Sequence, residues 1–498
     1  MSLNNNSFSQ NKNYKWWSFF AIGTGLFVSV ADVGSVVVVL PSIAEHFSTD
    51  LPTTQWVIIG YALTVSALLL PMGRLSDIVG RKKVYLIGYT IFAIGAGLAG
   101  FSSNISILIF ARIIMGFGAA MTQGVAMAMH VSAFPKEERG KAVGLILSVV
   151  GTGGVAGPAV GGLIVSTLGW QWVFIITAIL SVLVITFGKV ILDGQLKQNN
   201  MENKESFDWL GAGLSSIGLI TFMITLSIAS KIGWGHPFIG TGFLATAILF
   251  SIFIWWEHKV ESPMINLGLF KRKIFSFGLS SSFIMFFGMS SVRFLLPFYL
   301  QIGLGYTPAQ TGLIFVPGSI ALALAGTASG ALSDKFGWRI FNVSGMIILG
   351  SSLLIFSQLT LESHLSLIIF ALMLQSVGMG TFNPPNYSSI LSVVNERAFG
   401  VISGFLNLIR NSANVTGTAI VTAIVTIVMG SKGFQPTLAA ITSPDQNGVF
   451  SAYMSGMNVA LITASSLALL GLILTFAKGS GKLKDPNTNP HIPQNKKA

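Results

Sequence analysis

Residues 144–162 read GLILSVVGTGGVAGPAVGG and lie inside a hydrophobic segment long enough to cross a bilayer. The glycines of this stretch are spaced mostly by four and nine residues, which stacks them on one helical face: Gly144, Gly153, Gly157, Gly161 and Gly162. Such a face is nearly bare backbone, so a second membrane helix can approach it closely. Pro158 removes a backbone donor and bends the helix at this point. The stretch predicts a tight helix contact within the membrane.

The composition agrees with a membrane protein. Hydrophobic residues make up 52% of the 498 residues, charged residues 9%, and the mean hydropathy is +0.72, whereas soluble proteins carry about 25% charged residues. The net charge of +12 does not indicate a nucleic-acid partner, because the Lys and Arg residues lie in short loops between apolar runs. The chain contains no cysteine, which excludes a disulfide framework and any cysteine-ligated metal.

Fourteen apolar spans of roughly 20 residues can be placed along the chain. They lie near 17–40, 53–72, 84–103, 106–130, 142–166, 171–191, 209–229, 238–256, 276–300, 309–332, 340–358, 365–390, 401–428 and 450–477. Of the 29 Lys and Arg residues, 24 lie in or beside the termini and the even-numbered loops, and only Lys231 and Lys432 lie in odd-numbered loops. The positive-inside rule therefore predicts a cell-membrane protein whose tails, 1–16 and 478–498, are both cytoplasmic.

A repeated loop sequence divides the chain into two halves. GRLSDIVGRKK at 73–83 joins helices 2 and 3, and the shorter echo GALSDKFGWR at 330–339 joins helices 10 and 11. In a protein built from two six-helix halves, the second copy would follow the eighth helix. Here it follows the tenth, so two extra helices lie between the halves. We therefore expect six-helix bundles at 17–191 and 276–477, joined by a 192–275 linker that carries two extra helices, 209–229 and 238–256.

Several motifs resemble those of the fourteen-helix drug:proton antiporters of the major facilitator superfamily. The glycine stretch fits the antiporter motif G-x8-G-x3-G-P-x2-G-G of the fifth helix, and 73–83 fits the cytoplasmic loop signature. LIFARIIMGFGAA around Arg112 resembles the fourth-helix motif, and ADVGSVVVVLP at 31–41 matches the first-helix signature in part. The resemblance implies an all-α protein with two parallel bundles around a central site, which exports amphipathic small molecules in exchange for protons by alternating access.

The loop signature supplies candidate residues for a conformational switch. A short loop must turn tightly, which Gly73 and Gly80 permit. Asp77 can complement a helix N-terminus, and Asp77 and Arg81 can form ion pairs that exist in only one conformation. Asp334 and Arg339 would serve the second half in the same way. The alternative is that these charges only fix the topology.

Charged residues inside the spans carry the most functional weight, since each is costly unless paired or hydrated. Asp32 lies about 22 Å into helix 1, and Arg112 lies about 9 Å into helix 4 from the opposite side of a ~30 Å core. The two residues are thus at equal depth and can form an ion pair or compete for a proton. Asp32 is the sole carboxylate well inside any span, so we predict that it couples transport to protons, with Arg112 as its partner. The alternative is a permanent salt bridge that locks the two helices.

Arg410 lies near the midplane in FLNLIRNSANVTG and has no obvious acidic partner in neighbouring spans. It faces either an anionic part of a substrate or the carbonyl groups of a broken helix. Arg293 is expected to extend to the membrane interface from the end of helix 9. The predicted substrate-binding residues are Asp32, Arg410, Asn407, Asn411, Phe283, Phe287, Asn383, Asn386 and Tyr387.

Motifs for enzymatic or ATP-driven function are absent from the sequence. It has no G-x4-G-K-[ST] phosphate loop, no HExxH and no G-x-S-x-G. We therefore expect a transporter that is not an enzyme and needs no cofactor or metal, because a proton gradient drives it. We expect it to be a monomer that interacts only with its substrate, protons and the lipid bilayer. Two alternatives remain open: a dedicated exporter of a lipid-like or anionic metabolite, and a non-transporting sensor on the same fold.

Overall fold

The computed structural model describes residues 14–134, 139–192, 208–232, 235–260, 267–394, 399–434 and 447–479, apart from some side chains inside helices, among them those of Asp77, Gly144 and Asp334. Within these ranges no strand occurs, and fourteen helices are long and apolar enough to cross a membrane. They are α1 Tyr14–His46, α2 Trp56–Val79, α3 Arg81–Gly100, α4 Ile105–Ser132, α5 Arg139–Leu168, α6 Gln171–Ile191, α7 Trp209–Ile232, α8 Pro237–Glu257, α9 Lys273–Phe298, α10 Pro308–Phe336, α11 Trp338–Ser357, α12 Leu365–Leu391, α13 Phe399–Ser431 and α14 Asn447–Ala477. A single turn, Leu51–Thr54, precedes α2, and a π-helical turn, Tyr299–Gly303, extends α9.

The helices pack as two six-helix bundles. In the first, α1 packs on α5 and α6, while α4 packs on α2 and α3. In the second, α12 packs on α10 and α11, and α14 packs on α9, α11 and α13. The bundles meet along two seams, one between α5 and α10 and the other between α2 and α13, and α1 also touches α9. This is the two-bundle architecture that the sequence predicted.

The inserted helices lie at one of the two seams. Helix α7 packs against both α2 and α13, and α8 packs against α7. Buried apolar side chains from all three helices meet there: Ile59 and Leu63 of α2, Met223 and Leu226 of α7, and Val415 and Ala419 of α13. The Gln55 amide nitrogen also lies 3.4 Å from the Ser227 hydroxyl. Helix α7 therefore covers the seam between α2 and α13.

A single glycine joins the helices at each copy of the repeated loop. Gly80 (φ 104°) separates α2 from α3, and Gly337 (φ 82°) separates α10 from α11. The left-handed region favours glycine, because a Cβ would clash with the backbone. The prediction that Gly73 also turns the chain was wrong. Gly73 lies inside α2, since residues 74–79 contain no glycine or proline and the helix continues to Val79.

The first helix begins earlier than predicted, whereas the last helix ends at Ala477 as predicted. Helix α1 starts at Tyr14 and runs for 33 residues, so Trp16 is already helical. Lys478, placed in the C-terminal tail by the sequence, is only 2% exposed. Its ammonium group is held by acceptors on α12, a tertiary contact that hydropathy does not reveal.

Candidate transport site

Asp32 and Arg112 meet in the centre of the first bundle. Arg112 Nη1 donates to Asp32 Oδ2 at 2.6 Å, and the two side chains are 1% and 0% exposed respectively. The equal depths deduced from helix geometry thus led to the correct pairing. Asp32 Oδ1 has no hydrogen-bond partner among the described residues.

The guanidinium of Arg112 is held by groups from two further helices. Its Nε donates to the Val57 carbonyl of α2 at 3.1 Å. It also lies over the rings of Tyr61, at 4.4 Å, and Phe174 of α6, at 5.8 Å. Cation–π contacts of this kind are worth about 2 kcal/mol when desolvated. Arg112 therefore ties α1, α2, α4 and α6 together around the carboxylate.

The glycine lattice of α5 lies directly behind Asp32. A Cβ on Gly157 would be 2.5 Å from the Ala31 carbonyl oxygen, and one on Gly161 would be 2.5 Å from Ser35 Cβ. Gly153 faces Val30 in the same way, and Ser35 Oγ donates to the Gly157 carbonyl at 2.8 Å. The predicted close contact therefore exists, and its partner is α1. Gly144 lies inside α5, but its surroundings are outside what the structure describes.

Gly162 does not share that face, as the sequence had suggested it would. It lies against the Pro308 carbonyl of α10, in the other bundle, because one residue further along a helix turns the side chain by about 100°. Reciprocally, Gly312 of α10 lies against the Pro158 carbonyl. The glycine stretch therefore packs α5 against α1 on one side and against α10 on another.

Two hydrogen bonds between the bundles lie at one end of the molecule. The Ala309 amide donates to Ser166 Oγ at 2.9 Å, and Gln301 Nε2 donates to the Val38 carbonyl at 2.7 Å. Both hydrogen bonds join the two bundles, and both lie on the side opposite to Tyr14 and Ala477. The structure is therefore closed on the side away from the chain termini.

Arg410 and the predicted amides occupy α13. Arg410, Asn407 and Asn411 are all half-buried. Helix α13 packs on α2 of the first bundle and on α9 and α14 of its own. These residues therefore lie on a helix at the seam between the bundles.

Arg293 is half-buried on α9. The helix continues past Phe298 through the π-helical turn to Gly303, three residues beyond the predicted span. The expectation that Arg293 extends to the membrane interface stays a prediction.

The remaining predicted binding residues fall into two groups. Asn383 and Tyr387 of α12 are half-buried, and Phe283 is partly buried against the core. Phe287 and Asn386 are 2% and 1% exposed. Asn386 Nδ2 donates to Ser282 Oγ at 2.7 Å, and its Oδ1 accepts from Lys478 Nζ at 2.6 Å. Asn386 thus links helices of the second bundle instead of presenting its amide to the interior.

The candidate switch residues lie at the ends of the helices. Arg81 is half-buried in the first turn of α3. The Arg339 guanidinium lies 5.8 Å from the ring of Phe476 on α14, within its own bundle. Lys82 Nζ donates to the carbonyls of Leu192 and Lys189 at the end of α6, the latter at 3.3 Å. The side chains of Asp77 and Asp334 lie outside the described residues, and their switch role stays a prediction.

Comparison with known proteins identifies the class of molecule that these features define. The model of the Major Facilitator Superfamily matches residues 22–418. The chain belongs to this superfamily and is a multi-pass membrane transporter.

Relatives of this chain include transporters of vitamins and drugs. It is 32% identical over 466 residues to the riboflavin transporter RibZ of Clostridioides difficile, covering 93% of this chain and 97% of the relative. It is 27% identical to the multidrug resistance protein Stp of Mycobacterium tuberculosis, covering 87% and 80% of the two chains. The lincomycin resistance protein LmrB of Listeria monocytogenes is 24% identical, with 88% and 91% covered.

Solved structures share the fold at low sequence identity. A bacterial homolog of the human lysosomal transporter Spinster, in an inward-facing and unoccupied conformation, has a TM-score of 0.64 at 17% identity, covering 94% of this chain and 97% of that one. An auto-inhibited POT family peptide transporter has a TM-score of 0.67 at 13% identity, covering 97% and 99%.

Proposed function

We propose that this transporter exports amphipathic small molecules in exchange for protons by alternating access. Its termini face the cytoplasm of the cell, as the distribution of Lys and Arg predicts. The observation that carries the proposal is the buried Asp32–Arg112 pair, with its open carboxylate oxygen, beside the backbone of α5.

The pair suits proton exchange because protonation of Asp32 removes the charge that holds Arg112 in the present arrangement. With Asp32 ionised, Arg112 neutralises it, as in the present structure, which is closed on the side away from the termini. With Asp32 protonated, the pair loses its Coulomb attraction and α1 is freed from α4. In an antiporter of this orientation, Asp32 takes up a proton from outside and loses it toward the cytoplasm when Arg112 re-forms the pair. A proton gradient alone drives the cycle, without a cofactor.

A dedicated metabolite transporter is the second candidate. The match to RibZ over nearly the full length of both chains favours a flat, polar aromatic substrate such as a flavin. This candidate differs in substrate range, and the proton-coupled mechanism is compatible with both.

The coupling can be tested in proteoliposomes that contain a pH-sensitive dye. Riboflavin, ethidium and a fluorescent aromatic carboxylate are each added to vesicles of the parent protein and of Asp32→Asn, which keeps the shape of the side chain and removes its titration. We expect a substrate-dependent pH change with the parent and its loss in Asp32→Asn. The matched control is Glu45→Gln, which removes an exposed carboxylate from the same helix.

Three outcomes separate the hypotheses. Undiminished transport driven by a pH gradient in Asp32→Asn refutes coupling at this residue. Response to riboflavin alone favours the dedicated transporter over the broad exporter. Binding of a substrate without any movement of substrate or protons in the parent protein identifies a sensor.

A further inference from the structure

The carboxylate of Asp32 is separated from water on both sides of the membrane. Its side chain is 0% exposed, and that of Arg112 is 1% exposed. Helix α1 runs about 27 Å from Tyr14 to Asp32, and the proposed orientation places Tyr14 at the cytoplasmic end. A proton that leaves Asp32 for the cytoplasm in this conformation must therefore first pass through the protein.

One face of α1 leads from the carboxylate toward the cytoplasmic end of the helix. Its members are spaced by three or four residues and lie within an arc of about 80°: Ser18, Ala21, Gly25, Ser29 and Asp32. All five are buried. None of them has a large apolar side chain, so this face leaves room for polar groups from neighbouring helices.

Two tyrosine hydroxyls from α3 occupy the middle of this face. The Tyr85 hydroxyl donates to the Ala21 carbonyl at 3.2 Å. A Cβ on Gly25 would overlap the hydroxyl oxygens of both Tyr85 and Tyr89, whose ring centroids are 4.8 Å apart. The two hydroxyls therefore lie close together against the backbone of α1, in the space that the missing side chain of Gly25 leaves.

A second pair of hydroxyls lies beside the ion pair. Ser29 Oγ is 3.4 Å from the Tyr61 hydroxyl of α2, and both residues are buried. Ser29 precedes Asp32 by three residues, so their side chains are neighbours on the helix surface. The Arg112 guanidinium lies 4.4 Å from the centre of the Tyr61 ring. This pair of hydroxyls is thus next to the carboxylate, on the side that faces Gly25.

Ser18 extends the series toward the cytoplasmic end. Its side chain is fully buried, and its hydroxyl has no hydrogen-bond partner among the described residues. Ser18 lies one helical turn before Ala21, whose carbonyl accepts from Tyr85. A hydroxyl without a partner is unfavourable in an apolar interior, so its presence on this face calls for a polar neighbour such as a water molecule.

We propose that a file of hydroxyl groups along α1 carries the proton from Asp32 to the cytoplasm. In order from the carboxylate, the members of this hydroxyl file are Ser29, Tyr61, Tyr89, Tyr85 and Ser18. The inference rests on the proposed proton exchange at Asp32 and adds the route of the proton.

Hydroxyl groups suit this role because each is both a donor and an acceptor. A hydroxyl oxygen accepts a proton from one neighbour while its own hydrogen passes to the next, so every hydroxyl stays neutral. Asp32 becomes a carboxylate, and one proton is released to cytoplasmic water. Successive members on α1 are about one helical turn, 5–6 Å, apart, and a bridging water spans such a gap between two hydroxyls.

Phenylalanine substitutions test the hydroxyl file because they keep the ring and remove the relay. Tyr85→Phe and Tyr89→Phe are placed in proteoliposomes that contain a pH-sensitive dye, with riboflavin, ethidium and the fluorescent aromatic carboxylate as probes. Each variant should slow the substrate-dependent pH change severalfold and make it more sensitive to replacement of H2O by D2O. Exchange of labelled for unlabelled probe at equal pH needs no net proton release, and its rate should equal that of the parent.

The matched control is Tyr453→Phe. Tyr453 is also fully buried, and its hydroxyl donates to a backbone carbonyl, that of Leu295 at 2.8 Å, but it lies in the second bundle. The melting midpoint should fall by a similar amount in Tyr453→Phe and Tyr85→Phe, since each loses one hydrogen bond from tyrosine to a carbonyl. Only Tyr85→Phe should slow the movement of protons.

Ser18→Ala provides a variant that does not depend on the stability of the tyrosine cluster. It removes a hydroxyl that has no hydrogen-bond partner among the residues described, so the melting midpoint should not fall. The pH change should nevertheless be slower than in the parent. Parent-like proton rates in Ser18→Ala and in both tyrosine variants would overturn the proposal, and so would equal slowing of proton movement and probe exchange.

The outcome for Asp32→Asn shows which of the two proposals fails. Loss of coupling in Asp32→Asn together with parent-like rates in Tyr85→Phe, Tyr89→Phe and Ser18→Ala leaves proton exchange at Asp32 in place and refutes only the hydroxyl file. Undiminished coupling in Asp32→Asn, or no proton movement with any of the three probes in the parent, refutes the proposed function and the hydroxyl file with it.

Discussion

Gly162 and Gly312 are related by a reciprocal contact across the two bundles. Each glycine lies against the carbonyl oxygen of a proline, and that proline precedes the other glycine by four residues: Pro308 for Gly162 and Pro158 for Gly312. The closed side of the transporter is thus a contact of backbone on backbone between α5 and α10. Small residues are required there because any side chain would separate the helices.

Replacing Gly312 by alanine should therefore weaken closure on this side. The added Cβ would meet the Pro158 carbonyl, whereas a Cβ on Gly326 of the same helix finds its nearest atom at 4.0 Å. The chain has no cysteine, so Ser166→Cys and Ala309→Cys can be introduced as a crosslinking pair at the contact. We expect Gly312→Ala to slow disulfide formation severalfold and Gly326→Ala to leave it unchanged. Equal rates in all three backgrounds would show that closure does not depend on this contact.

The Asp32–Arg112 pair predicts a non-additive effect on stability. Arg112→Met leaves a buried carboxylate without its partner and should destabilise the protein by about 3–5 kcal/mol. Adding Asp32→Asn removes the charge and should recover a large part of that loss. Denaturation of the two single variants, the double variant and the parent gives the coupling energy. A coupling energy near zero would mean that the pair contributes nothing to the fold.

The glycine lattice predicts different effects for two alanine substitutions on α5. A Cβ on Gly157 meets the Ala31 carbonyl at 2.5 Å, while a Cβ on Gly151 meets nothing within 4 Å. Gly157→Ala should lower the melting midpoint and reduce transport, since α1 and the neighbouring Asp32 must shift. Gly151→Ala should be neutral or slightly stabilising, because alanine favours the helix by up to about 1 kcal/mol. A parent-like Gly157→Ala would contradict tight packing on this face.

Lys478 predicts that stability depends on pH. Burial lowers the pKa of its ammonium group from 10.5 to about 7, while the unfolded chain keeps the ordinary value. Between these two values the unfolded state binds more protons than the folded state, so stability rises with pH by up to about 1.4 kcal/mol per pH unit. The neutral amine retains two hydrogens for the acceptors Asn386 Oδ1 and Ser389 Oγ, both at 2.6 Å.

The measurement compares melting midpoints of the parent and of Lys478→Met from neutral pH to mildly alkaline pH. The parent should gain stability relative to the variant as the pH rises. The other groups that contact Lys478 among the described residues, Asn386, Ser389 and the Trp338 ring at 4.5 Å, do not titrate in this range. Parallel curves for the two proteins would mean that Lys478 stays protonated in the folded state.

The residues that sequence analysis located well are those governed by regular geometry. The rise per residue of a helix was sufficient to place Asp32 beside Arg112, and a motif with four-residue spacing was sufficient to bring α5 against a partner. The burial of Lys478 was not foreseen, because its acceptors lie on α12 and reach the end of α14 only through tertiary packing. The helix that a given glycine contacts can be known only from the assembled bundles, because Gly157 and Gly162 pack against different helices.

The position of α7 makes the two flanks of the protein unequal. Within the described chain, α7 lies over the α2–α13 seam and carries α8 on its far side. The α5–α10 seam has no such cover among the described helices and is held by backbone contact between Gly162, Gly312 and the prolines opposite them. The two extra helices thus break the near symmetry of the two bundles at one seam only.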